Sequence, residues 1–85
     1  MFGSNPEQDL ELTLKSNIPY FDLESIKVMK TDTIKDVKNR IQNLTGLSSD
    51  LFLVVYHSKK LDENFTVGAF YINNKDTVHL VPSSK

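Results

Sequence analysis

Few residues in this chain carry the chemistry of catalysis. There are two histidines, His57 and His79, and no cysteine. The missing thiol excludes a disulfide scaffold, a thiolate zinc site, a cysteine nucleophile and a redox motif. Ser58 follows His57 directly, which raises the question of an activated serine. Neighbouring residues in a strand or turn point apart, however, and the sequence has neither G-x-S-x-G nor a Gly-rich phosphate loop. The two histidines do not stand at a metal-ligand spacing such as HExxH. The sequence therefore predicts a protein that is not an enzyme and holds neither metal nor cofactor. His79 reads as a surface or interface residue that titrates near neutral pH. Lys59-Lys60 is a basic pair, but Asp62 and Glu63 follow it. With 10 Lys+Arg against 11 Asp+Glu the net charge is −1, so no nucleic-acid footprint is expected.

What remains is recognition by apolar surface. In Leu51-Phe52-Leu53-Val54-Val55-Tyr56, alternate residues point to opposite faces. One phase is Phe52, Val54 and Tyr56; the other is Leu51, Leu53 and Val55. In Thr77-Val78-His79-Leu80-Val81 the phases are Val78 and Leu80 against Thr77, His79 and Val81. If Val78 and Leu80 are core, then Leu53, Val55, His79 and Val81 lie together on the opposite, solvent side. A wet sheet face ordinarily reads polar, and this one reads apolar with a histidine. The competing reading is that these are strand-forming residues covered by a tail or a neighbouring domain.

Positioning that face requires the following elements. Leu10, Leu12 and Leu14 alternate with polar residues, which predicts a half-buried strand. Asn17-Ile18-Pro19 signals a turn. A second strand is expected to carry Phe21, Leu23, Ile26 and Val28, with a bulge between Leu23 and Ile26. Thr33 and Asp36 form a capping-box start for a helix over residues 34–45. Its apolar stripe is Ile34, Val37, Ile41 and Leu44, with Lys35, Lys38, Asn39, Arg40 and Gln42 on other faces. Gly46 sits where a left-handed C-terminal residue belongs. The run from Leu51 to Tyr56 is a strand. Thr66 to Tyr71 reads as one helical turn that faces Val67, Phe70 and Ile72 inward. Residues 73–76 form a turn before the last strand. The order β-β-α-β-turn-β predicts an α+β roll, a mixed sheet with one main helix across one face.

At 85 residues the chain is one domain. Residues 1–8 read as a disordered leader, 9–82 as the domain and 83–85 as the start of a linker. The longest apolar run is far short of the ~20 residues that span a bilayer. The first residues lack the features of a signal peptide, so a cytoplasmic or nuclear location is expected.

Several segments resemble ubiquitin. They are Asp32-Thr-Ile-Lys-Asp-Val-Lys-Asn-Arg-Ile-Gln, Gly46-Leu47, Asp50, Leu53 to Tyr56, Lys59-Lys60-Leu61-Asp62, Thr66, Tyr71-Ile72 and Thr77-Val78-His79-Leu80-Val81. The correspondence runs from Val28 to Val81, nearly two-thirds of the chain. It implies the ubiquitin-like β-grasp fold. In ubiquitin-like domains an outward aliphatic on the third strand, and a His and an aliphatic on the last, bind short partner helices; Val55, His79 and Val81 match them. The first hairpin looks two residues longer, and Ile18 is taken for the apolar loop residue of that surface. Lys59 and Lys60 keep part of the basic rim, while Leu53 stands where ubiquitin has Arg. The conjugated modifiers end in Gly-Gly, whereas here Val81 is followed by Pro82-Ser83-Ser84-Lys85.

The expected function is a non-conjugated ubiquitin-like domain similar to those of ubiquilin-type shuttle proteins. Its docking residues are Leu53, Val55, His79, Val81, Lys59 and Ile18. The partners implied are ubiquitin-interacting helices, proteasome receptor subunits or ubiquitin-associated domains, bound weakly by an expected monomer. Two alternatives stand beside it: a modifier whose Gly-Gly tail lies beyond this sequence, and an architectural β-grasp domain. A second binding element at the Ile18-Pro19-Tyr20-Phe21 tip competes with Tyr20 or Phe21 folding back onto the sheet.

Overall fold

A computed structural model describes residues 9–83. The expected leader and residues 84–85 lie outside the described residues. The elements are β1 (Asp9–Ser16), β2 (Ser25–Met29), α1 (Ile34–Thr45), β3 (Phe52–Tyr56), β4 (Lys59–Lys60) and β5 (Thr77–Pro82). Two 3₁₀ turns, Ser49–Leu51 and Val67–Phe70, complete them. The sheet order is β2-β1-β5-β3-β4. Only the β1–β5 pair is parallel; the other pairs are antiparallel. This is the mixed sheet with one helix across one face that the sequence predicts, with β4 as a short fifth strand.

The helix forms where its first-turn donors find partners. Thr33 Oγ1 accepts from Asp36 N–H, and Asp36 Oδ2 accepts from Thr33 N–H, both at 3.1 Å. The N–H groups of Ile34 and Lys35 donate to the carbonyls of Phe65 and Glu63 at 2.9 and 3.1 Å. Every N–H of the first turn is thus satisfied, and the helix start is bound to the segment after β4. At the other end Gly46 takes φ +80°, where a Cβ would be strained, and donates to the Gln42 carbonyl.

Leu10, Leu12, Leu14, Ile26, Val28, Ile34, Val37, Ile41, Phe52, Val54, Leu61, Val67, Ile72, Val78 and Leu80 form one buried core between sheet and helix. Two expectations on the helix fail. Leu44 is 60% exposed, in the last turn of the helix beside Thr45 and the Gly46 cap. Lys38 takes a core position instead: its ammonium reaches Glu63 Oε2 at 2.5 Å and lies over the Phe52 ring at 5.4 Å from the centroid. A long stem with a partnered tip serves there as an apolar residue would.

The second strand is also shorter than expected. It begins at Ser25, and Phe21 to Glu24 run irregularly, with Leu14 N–H to Glu24 carbonyl the bond nearest the ladder. The bulge expected between Leu23 and Ile26 is not needed, since Phe21 and Leu23 pack against the core from outside the strand. Leu51 likewise belongs to a 3₁₀ turn ahead of β3.

Candidate functional site

The phasing of β3 and β5 is as the sequence predicts. Phe52, Val54, Val78 and Leu80 are buried under the helix. Leu53, Val55 and Val81 are half-buried and His79 is exposed on the other side. The antiparallel register sets Leu53 opposite Val81 and Val55 opposite His79. These are two cross-strand pairs in succession on one face, so the four side chains form one block. Val55, His79 and Val81 line a shallow cavity of about 420 Å³ with His57, Ser58 and Thr77.

Ile18 and Lys59 are placed elsewhere. Ile18 is half-buried and packs against the core; with Pro19, Tyr20, Phe21, Gly46 and Leu47 it lines a separate groove at the hairpin tip. Tyr20 is fully exposed at φ +66°, while Phe21 folds back onto the core. Lys59 is paired with Tyr56, and Lys60 with Val55. Paired residues share a face, so Lys60 rather than Lys59 stands beside the apolar block. Lys15 stands beside His79 through the parallel β1–β5 register. Neither cation could be assigned to the face from strand alternation alone, because that requires the inter-strand register.

The turn that delivers Lys60 is conformationally costly. His57 and Ser58 have φ +52° and +67°. A two-residue hairpin needs such values to match strand twist, and ordinarily uses Asn-Gly or Asp-Gly. Here the turn is braced from outside. The His57 ring lies against Tyr56, with centroids 4.1 Å apart. The Tyr56 hydroxyl donates to Asp76 Oδ2 at 2.5 Å, and the same oxygen accepts from Asn73 N–H at 3.0 Å. These bonds, the phenol's first, hold the Asp76 carboxyl below the ordinary aspartate range; the reciprocal bond raises the Tyr56 phenol. Among the described residues, no three His, Asp or Glu side chains gather to hold a metal.

A flat, largely apolar block with lysines beside it can bind a complementary surface. A five-stranded mixed sheet wrapped on one helix, with this block on its open face, defines a ubiquitin-like β-grasp domain. The ubiquitin family's sequence profile matches residues 12–85, and the chain belongs to that family. Among solved structures it is similar to the UBL domain of Plasmodium falciparum Dsk2, at TM-score 0.78 and 15% identity, over 88% of this chain and 99% of that one. It is also similar to a chain described under the words "Molecular Mimicry of SUMO promotes DNA repair", at TM-score 0.77 and 20% identity, covering 87% and 91%.

Proposed function

We propose that this ubiquitin-family domain is a non-conjugated docking module that seats partner helices on the block formed by Leu53, Val55, His79 and Val81. The observation that carries the reading is the register, which turns three aliphatic side chains and a histidine to the face the helix does not cover. Burying them against an amphipathic helix is the helix-in-groove mode of recognition. The block is small, so the affinity is in the micromolar range or weaker. The segment after the block stays on the sheet: Ser83 N–H donates to the Leu51 carbonyl at 2.9 Å, which continues the β3–β5 pairing. The structural likeness to the Dsk2 UBL domain supports partners from the ubiquitin–proteasome pathway, namely ubiquitin-interacting helices, proteasome receptor subunits or ubiquitin-associated domains. A cytoplasmic or nuclear adaptor role goes with this reading.

The test is an amide NMR titration of the labelled protein with a ubiquitin-interacting helix. Shifts centred on Val55, His79 and Val81, absent in Val55→Asp with a preserved spectrum, are expected. An unchanged wild-type spectrum at millimolar peptide would overturn the reading.

A further inference from the structure

The open face changes character along its strands. The β1–β5, β5–β3 and β3–β4 registers set Lys15, His79, Val55 and Lys60 in one row across the sheet. Two exposed ammonium groups therefore flank the His79–Val55 pair. The next row is Leu53 and Val81. Beyond it Leu51 meets Ser83, and Leu51 is 55% exposed. Leu51, Leu53 and Ser83 share a shallow cavity of about 630 Å³ with Asp50 and the Lys38–Glu63 pair. Glu63 is neutralised by Lys38, whereas Asp50 makes no ion pair among the described residues. The open face thus runs from a cationic row, through an apolar stripe, to the mouth of a cavity at the end of the sheet that the exposed Asp50 lines together with the Lys38–Glu63 pair.

Resting on the docking function above, we infer that this face selects a dipolar amphipathic helix, with carboxylates over Lys15 and Lys60, an apolar stripe over Val55, Leu53 and Leu51, and a Lys or Arg over Asp50. Leu51, in the turn just ahead of β3, and Val55 are four residues apart across the extended segment Phe52–Val54, about 13 Å at 3.3 Å each. About nine helical residues at 1.5 Å cover it, so the partner's anchors fall near i, i+4 and i+7 or i+8. Leu51 is then a specificity residue that lengthens the footprint. A helix acidic at both ends sets like charge against Asp50, which the face disfavours.

The experiment titrates the labelled 85-residue protein with three synthetic helical peptides. They share the apolar anchors and carry Glu at both ends, Lys at both ends, or Glu at one end and Lys at the other. The dipolar peptide is expected to bind about two- to fivefold more tightly than either other, an advantage that shrinks at high salt. Asp50→Lys should make the diacidic peptide the tightest. Leu51→Ser should weaken the dipolar peptide by up to about tenfold, since Leu51 loses its apolar contact. Equal binding of the dipolar and diacidic peptides, with no change of order in Asp50→Lys, would overturn the dipolar selection and leave the docking face standing. No shift at Val55 or His79 with any peptide would overturn both.

Discussion

The two sides of the β3–β5 ribbon are made of the same kinds of residue and meet opposite fates. Phe52, Val54, Val78 and Leu80 vanish under the helix, while Leu53, Val55 and Val81, each one position along, keep part of their surface in water. Burial is what an aliphatic residue contributes to stability, so the covered set accounts for its own presence. The open set is only half covered, so part of its apolar surface contributes nothing to folding. The proposed docking function accounts for that remaining apolar surface, which is why the open face is the one we propose as the site.

Substitution is the most direct way to break the contrast. Phe52→Ala on the covered side removes the ring under Lys38 and should cost about 3–5 kcal/mol, enough to leave so small a domain largely unfolded in thermal melts. Val55→Asp on the open side should change stability by less than about 1 kcal/mol while abolishing helix binding. A large loss of melting temperature in Val55→Asp would show that the two sides do not differ.

The covered side also contains a charge, and its two partners should respond unequally. Glu63→Ala strands the Lys38 ammonium among apolar neighbours and should cost about 3 kcal/mol. Lys38→Met keeps the packing over Phe52 and leaves a carboxylate that is already half in water, so it should cost about 1 kcal/mol or less; urea melts of the two variants compare them. Next in size, Ser58→Gly relieves the left-handed turn that carries Lys60 to the open side. It should add about 1 kcal/mol, read as a rise of several degrees in Tm, with peptide affinity unchanged.

The smallest effect is the pH dependence of the Tyr56–Asp76 bond. A carboxyl held below its ordinary value contributes stability that is present above the unfolded pKa, about 3.9, and is lost as pH falls through the lower folded value. The difference in Tm between wild type and Tyr56→Phe should therefore be constant near neutral pH and close on acidification. A difference that persists at about pH 2 would assign it to packing of the ring instead.

Local rules made much of this legible. Thr33 and Asp36 announced the helix and Gly46 its end, because capping depends on residues within one turn. Alternation gave the two phases of β3 and β5, because strand period is a property of the chain itself. What failed depended on partners distant in sequence. Lys38 is buried because Glu63 is there to meet it. Phe21 and Leu23 pack without joining a strand because the chain leaves β1 after the turn. Lys60, not Lys59, joins the open face because a two-residue turn fixes which of them faces Val55. Ile18 belongs to the hairpin-tip groove, an assignment that required the true path of the longer first loop.

The position of β5 has a consequence for how the molecule is made. The strand that lies between β1 and β3 is the last of the sheet to be synthesised. Before it arrives, β1–β2 is an isolated hairpin, and neither it nor β3 has a partner on its inner edge. Such two-stranded fragments are marginal alone in water, and closure must join residues near both ends of the domain. The nascent chain therefore holds its apolar faces uncovered until Thr77–Pro82 has left the ribosome, and the sheet and the block of Leu53, Val55, His79 and Val81 come into being in the same step.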